Sequence, residues 1–93
     1  MGATLLADAE VQSRLKELNG WSRSGNEILK LFELSDFVHA MGFVNSVALL
    51  AERLNHHPDI NIRWNKVTLT SSTHSTGGLT QRDFALAKLI DAL

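Results

Sequence analysis

The 93-residue chain has no cysteine and only one proline. Without cysteine it can hold no disulfide scaffold, no thiolate nucleophile, no iron–sulfur cluster and no zinc site built on sulfur. It also lacks a large surplus of either charge, because nine basic and ten acidic residues leave a net charge of −1. Affinity for a nucleic-acid backbone needs a basic surplus, so we expect no general binding of DNA or RNA.

Long hydrophobic runs are also missing. No stretch approaches the roughly 18 apolar residues that span a bilayer, and residues 1–10 lack the basic and apolar parts of a secretory signal. Met1-Gly2 begins like a myristoylation motif, but Leu6 stands where that motif needs serine or threonine. We therefore expect a cytoplasmic protein that does not associate with membranes.

The residues that are present are those of a globular chain. Hydrophobic residues make up 44% of the sequence and charged residues 20%, which is a folding rather than a disordered composition. The length allows one small domain over residues 1–93, with a thin hydrophobic core.

Three helices are predicted from apolar residues at helical spacing and from cap residues at their ends. The first helix is predicted over about residues 8–18, with Asp8 as its N-cap. The second is predicted from a cap at Ser35 or Asp36 to about Asn55, with Pro58 as the residue that stops it. The third is predicted to begin at a capping box formed by Thr80 and Asp83.

Two hairpins are predicted between these helices, one over residues 21–34 and one over about residues 60–72. The expected turns are Ser24-Gly25-Asn26 and Asn65-Lys66. The order is helix, hairpin, helix, hairpin, helix, which indicates an α+β fold with a four-stranded antiparallel sheet and three helices on one face. Leu29 and Leu31 would make part of the other face apolar, which favours contact with a second subunit.

Four histidines are the most distinctive feature of the composition. His39 falls on the polar face of the long helix and is interpreted as a surface residue. His56 and His57 are neighbours at the end of that helix, and His74 is expected at a strand end on the polar sheet face. No paired-histidine metal motif is present, although a three-histidine site assembled in space remains an alternative.

Two carboxylates accompany these histidines. Glu52 precedes His56 by one helical turn, so it could hold the imidazole in one tautomer. Asp83 falls on the apolar face of the last helix, where it either completes the capping box or supports a histidine. Trp21 and Trp64 are expected mainly in the core, or stacked on a flat ligand. From spacing alone, the chain is a small proton-transfer enzyme or a binding module.

A set of positions at fixed intervals resembles the signature of the pterin-4a-carbinolamine dehydratases, and the resemblance extends from about residue 5 to residue 93. The neighbouring Gly77-Gly78-Leu79-Thr80 also resembles that family. The positions of the signature are Glu52, His56, His57, Pro58, Trp64, His74 and Asp83.

The resemblance implies the fold derived above and the dehydration of 4a-hydroxytetrahydropterins, which returns the pterin cofactor to aromatic amino acid hydroxylases. It implies no metal, no bound cofactor and a homodimer or homotetramer. Some animal members also bind a homeodomain transcription factor. Two alternatives remain: a protein-interaction module, and a related enzyme acting on another pterin, such as one of a molybdopterin pathway.

The resemblance also implies a role for each site residue. His56 and His74 would transfer protons, and His57 would mainly hold the pterin. Glu52 would orient His56 or bind the pterin, and Asp83 would lie behind His74. The remaining lining residues would be Trp21, Ser72 and Thr73, and Asn55 stands where some relatives carry an acid.

Overall fold

The computed structural model describes residues 3–93, so Met1 and Gly2, the start of the myristoylation-like motif, lie outside the described residues. The elements follow the predicted order, and the fold is α+β as expected. They are α1 (Asp8–Leu15), β1 (Ser22–Ser24), β2 (Glu27–Glu33), α2 (Phe37–Leu54), β3 (Asp59–Arg63), β4 (Lys66–Ser71) and α3 (Gln81–Asp91).

The four strands form one antiparallel sheet in the order β1-β2-β4-β3. The central pair, β2 and β4, is in register from Ile28 opposite Ser71 to Glu33 opposite Lys66. Side chains of β4 alternate between buried positions and exposed or half-buried ones, because successive residues of a strand point to opposite faces. The face that carries Ser71 packs against the helices, and we call the opposite face the open face.

The hydrophobic core lies between the sheet and the helices. Fully buried aliphatic side chains from α2, β2, β4 and α3 meet there, and each contributes about 1.5–3 kcal/mol through removal from water. The largest of them are Ile28, Val47, Val67, Leu69, Leu86 and Ile90.

The first helix differs from the prediction at both ends. It stops at Leu15 rather than near residue 18, and its N-cap is Ala7, which makes no side-chain cap bond. Asp8 is therefore not the N-cap. Its carboxylate instead accepts a hydrogen bond from Arg23 Nη1 at 2.9 Å, which ties the helix start to the first hairpin.

The long helix begins as predicted and ends for a different reason. Asp36 is the N-cap, and its side chain accepts a hydrogen bond from the His39 backbone N–H at 2.8 Å. At the other end, Asn55 adopts a left-handed conformation with φ of 51°, which is a common way for a helix to stop. Asn55 thus ends the helix, three residues before Pro58.

The turn of the second hairpin lies one residue earlier than predicted. Arg63 pairs with Lys66, so the turn residues are Trp64 and Asn65 and not Asn65 and Lys66. Trp64 has a φ of 53°, a left-handed conformation that costs a residue with a Cβ about 1–2 kcal/mol. Its side chain is 67% exposed, so the expectation of core packing is wrong for Trp64.

Trp21, in contrast, is in the core as expected, with 7% of its surface exposed. Its indole Nε1 donates to Asp91 Oδ2 at 3.0 Å, and its ring meets Phe32 edge-on, with 6.1 Å between the centroids. Lys30 Nζ completes this cluster at 2.9 Å from Asp91 Oδ1.

Within residues 3–93, no helix is both long enough and apolar enough to cross a membrane.

Candidate active site at the ends of α2 and β4

His56, His57 and His74 meet where α2 ends, where β4 ends and where α3 begins. There they surround a surface hollow of about 230 Å³. The structure therefore brings together the three histidines that the sequence singled out, with two of the three predicted lining residues. The hollow is lined by Asn55, His56, His57, Ser72, Thr73, His74, Ser75 and Arg82.

Asp83 is the anchor of this site, and its side chain is fully buried. Its Oδ1 atom lies 2.7 Å from His56 Nε2 and accepts a hydrogen bond from Ser71 Oγ at 2.7 Å. Its Oδ2 atom accepts from Thr73 Oγ1 at 2.8 Å and from the Thr80 backbone N–H at 3.0 Å. Besides His56, three donors thus point at one carboxylate, and both of its oxygen atoms act as acceptors.

The network assigns the proton positions on His56. An ionised carboxylate only accepts hydrogen bonds, so the Nε2 atom that faces Asp83 carries a hydrogen. The neutral imidazole then has its lone pair on Nδ1. The ring is itself buried. In this tautomer Nδ1 is the ring nitrogen that can accept a hydrogen bond.

The predicted partnership of Asp83 with His74 is wrong, because the carboxylate contacts His56. His74 lies in the turn over residues 73–78, which Thr73 and Gly78 close through backbone hydrogen bonds. β4 ends at Ser71, so His74 is three residues beyond the strand. Its side chain is exposed, and it forms no hydrogen bond to any side chain within residues 3–93.

The predicted contact of Glu52 with His56 is also wrong. Glu52 Oε1 lies 2.8 Å from His57 Nε2, on the exposed side of the site. The cause is the left-handed Asn55, which takes the chain off the helical path. The spacing of one helical turn between Glu52 and His56 therefore no longer places their side chains together, and His57 meets the carboxylate instead.

Trp21 is not among the residues that line the hollow. Its ring is part of the core and its Nε1 is used by Asp91, so the structure does not bring this predicted lining residue to the histidines.

Arg82 was not singled out by the sequence. Its Nη2 atom donates to the carbonyl of Asn55 at 2.6 Å and to that of Leu54 at 3.4 Å. The last carbonyls of a helix have no partner within it and carry partial negative charge. Arg82 thus fixes the end of α2 against α3 and adds a positive charge to the hollow. The only feature of the sequence that could have pointed to Arg82 is its position in the first turn of α3.

His39 lies apart from this site, as expected for a surface residue. Its Nδ1 atom is 2.7 Å from Asp36 Oδ1. The hydrogen bond from the His39 backbone N–H, followed by that from the ring, lowers the pKa of Asp36 below its ordinary value of 3.8.

Among residues 3–93, no group of three or more histidine or carboxylate side chains is placed to hold a metal ion.

Comparisons with known proteins identify the family of this chain. The family model for pterin 4 alpha carbinolamine dehydratase matches residues 4–93. A Roseiflexus sp. (strain RS-1) protein that carries the provisional name pterin-4-alpha-carbinolamine dehydratase is 58% identical over 91 residues, which cover 98% of each chain. A Nocardia farcinica protein with the same provisional name is 50% identical over 93 residues, covering 100% of this chain and 98% of its own.

Two solved structures have related folds. A transcriptional coactivator/pterin dehydratase from Brucella melitensis is 36% identical with a TM-score of 0.90, over 94% of this chain and 95% of its own. A pterin dehydratase-like protein described as a RuBisCO assembly factor in the alpha-carboxysome is 25% identical with a TM-score of 0.67, over 80% and 88% of the two chains. The chain therefore belongs to the pterin 4 alpha carbinolamine dehydratase family.

Proposed function

We propose that the protein dehydrates 4a-hydroxytetrahydropterins to quinonoid dihydropterins. The observation that carries the proposal is the anchoring of His56 by buried Asp83, at a hollow that His57 and His74 also line. In an organism with a pterin-dependent aromatic amino acid hydroxylase, this reaction would return the oxidised cofactor to the reductive half of its cycle. Membership of the family supports the assignment.

The reaction needs two proton transfers and no external oxidant or reductant. The C4a–O bond breaks, electrons from the N5–H bond form the C4a=N5 double bond, and water leaves. A base must take the N5 proton, and an acid must protonate the departing hydroxyl. Positioned side chains contribute about 10²–10⁴ in rate to transfers of this kind.

In this proposal His56 is the base and His74 is the acid. Asp83 stabilises the imidazolium that His56 becomes on accepting the N5 proton, as a buried carboxylate does for the histidine of a hydrolase triad. His74 lines the same hollow on the turn after β4 and is exposed, so it can exchange its proton with water between turnovers.

The remaining residues bind or position. His57 holds the pterin, and Glu52 orients the His57 ring from the solvent side. Ser72, which is half-buried and lines the hollow, would donate to a pterin ring atom. Thr73 also lines the hollow, but its hydroxyl hydrogen is directed to Asp83. It therefore acts by positioning Asp83.

Stopped-flow absorbance with chemically generated 4a-hydroxytetrahydropterin tests the proposal. We expect the protein to accelerate dehydration over buffer, and His56→Ala and His74→Ala each to remove about 10²-fold or more of kcat. His39→Ala, on the far surface, is the matched control and should keep full activity. No acceleration by the intact protein, or full activity after both site substitutions, would reject the dehydratase assignment.

A panel of substrates decides which pterin is used. The proposal includes a pterin with a short hydroxylated side chain as the physiological substrate. A higher kcat/KM for a molybdopterin-type substrate would favour the alternative of an enzyme that acts on another pterin. The proposed roles of the histidines in proton transfer would be unchanged.

A second candidate function is protein interaction. The observation that favours it is the open face, where Leu31 is 55% exposed. Among the related structures, one protein is described as a coactivator as well as a dehydratase and the other as an assembly factor. Crosslinking in intact cells with a photoreactive group at position 31 tests this function, since a specific protein adduct is expected only if the open face is occupied.

A further inference from the structure

A broad hollow lies away from the histidines, on the open face of the sheet. It has a volume of about 610 Å³ and surrounds the turn of the second hairpin. The strand β4 begins at Lys66 beside this hollow and ends at Ser71 beside the histidine site, so about 17 Å of strand separates them. The hollow is lined by Leu31, Asn61, Arg63, Trp64, Lys66 and Thr68.

Two positive charges in this hollow have no ion-pair partner in the part of the chain that the structure describes. Neither Arg63 nor Lys66 forms an ion pair with any acidic side chain among residues 3–93. Glu33 lies directly opposite Lys66 in the sheet register, yet its carboxylate is not paired with it. Two cations and one carboxylate, a local excess of one positive charge, thus lie beside the exposed Leu31 and Trp64 side chains.

Trp64 is held in this hollow by the fold. Its backbone has the left-handed φ of 53°, which a bulky residue adopts only when its surroundings impose it. Asn65 imposes it: its carbonyl accepts from the Leu34 backbone N–H at 2.8 Å, and its Nδ2 donates to the Leu34 carbonyl at 2.9 Å. The hairpin tip is clamped to the end of β2, and the indole is left in solvent beside the two cations.

The shape and charges of the hollow favour one class of ligand. A small molecule would be bound in a more enclosed pocket, where most of its surface is removed from water. A nucleic acid would need a longer basic track than two cations. An extended peptide crossing the strands fits better, because its carboxylates can meet Arg63 and Lys66 while an apolar side chain packs on Trp64.

We propose that this hollow binds an acidic peptide segment of a partner protein, with Trp64 as the apolar anchor and Arg63 and Lys66 as the carboxylate-binding groups. Exposed aromatic and arginine side chains are the residue types that most often dominate such interfaces. This site is separate from the histidine site, so it stands or falls independently of the proposed dehydratase activity.

Selection from a random 12-residue peptide library displayed on phage tests the proposal, followed by fluorescence anisotropy of the enriched peptides. We expect enriched sequences to combine two or more acidic residues with an aromatic or large aliphatic residue. Trp64→Ala, and the double variant Arg63→Glu/Lys66→Glu, should each weaken binding by about tenfold or more. Glu33→Gln should strengthen it, because a competing carboxylate is removed.

Lys16→Glu, an exposed charge reversal in the turn after α1, is the control and should bind within about twofold of the original protein. Circular dichroism of each variant shows that it is folded. Three outcomes would overturn the proposal: enrichment of no peptide or of non-acidic peptides, equal binding by the hollow variants and the control, or tighter binding of a 12-nucleotide oligothymidylate than of the selected peptides.

Discussion

The Nε2 atom of His56 lies 2.7 Å from the Oδ1 atom of Asp83, although 27 positions separate the two residues in the chain. The contact joins the residue that follows the α2 cap to the first turn of α3, beneath the end of β4. It fixes both the position of the imidazole and the location of its hydrogen.

Replacing Asp83 by asparagine should remove the interaction that keeps the imidazole hydrogen of His56 on Nε2. The amide can offer a donor where the carboxylate only accepts, and it cannot stabilise the imidazolium. We expect kcat for pterin dehydration to fall by about 10²-fold or more, with KM changed far less. Asp59→Asn, an exposed acid at the start of β3, should behave like the original protein, and equal kcat for the two variants would contradict this role.

Replacing Arg82 by glutamine should loosen the end of α2. The carbonyls of Leu54 and Asn55 would lose a charged donor, and we expect the free energy of unfolding to fall by about 1–3 kcal/mol. Because His56 and His57 follow that helix end, kcat should fall as well. Urea denaturation and stopped-flow assays measure the two effects, and Arg53→Gln on exposed α2 surface serves as the control.

Trp64 should be replaceable with a gain in stability. Glycine or asparagine accepts a φ of 53° more readily than tryptophan, so we expect Trp64→Asn to raise the free energy of unfolding by about 1 kcal/mol. For a chain of this length that corresponds to a rise of about 4–8 °C in Tm. A fall in Tm would show that the exposed indole contributes packing that outweighs the backbone strain.

Acid should weaken the cap of α2. The pKa of Asp36 is lower in the folded protein than its ordinary value of 3.8, so the ionised cap stabilises the fold above that value. This contribution is lost as the pH falls through the folded pKa. We expect Asp36→Asn, which keeps a capping oxygen, to show a shallower loss of stability than the original protein between about pH 5 and pH 2. Parallel curves of urea midpoint against pH would contradict the assignment.

Self-association is expected through the exposed side of α2. Val38 and Leu49 are 76% and 74% exposed on that helix, which is unusual for large aliphatic side chains unless a partner covers them. We propose that the protein is a homodimer or homotetramer that uses this surface. Light scattering after size exclusion should give more than one chain per particle, and Val38→Glu with Leu49→Glu should reduce it to the monomer. A monomeric original protein would reject the proposal.

Much of the fold could be predicted from local patterns. The Thr80–Asp83 capping box forms as predicted, and Asp36 is one of the two predicted caps of α2. The first turn, Gly25-Asn26, lies within the predicted Ser24-Gly25-Asn26, of which Ser24 belongs to β1. Each depends on residues a few positions apart, so neighbours in the chain contain the necessary information. The N-cap and the end of α1 and the second hairpin turn differ by one to three residues from their predicted positions.

The partners of the site residues could not be predicted in the same way. The spacing of Glu52 and His56 predicted a contact that only a continuous helix would make, and the left-handed Asn55 removed it. The left-handed conformation of Trp64 was equally hidden, because the Asn65 clamp that imposes it is formed with Leu34 from another strand.

The sequence by itself determined the chemistry open to this protein. It supplies no sulfur ligands and no strongly basic surface, and it places three histidines at the ends of helices or strands. It also supplies two carboxylates on predicted helices, Glu52 and Asp83, as candidate partners of those histidines. Tertiary structure decided which carboxylate serves which histidine, and which tryptophan is buried. The physical reason is that residue types and periodicity are local properties, whereas a side-chain hydrogen bond requires two groups within about 3 Å. For Asp83 and His56, that proximity exists only after α2, β4 and α3 have packed together.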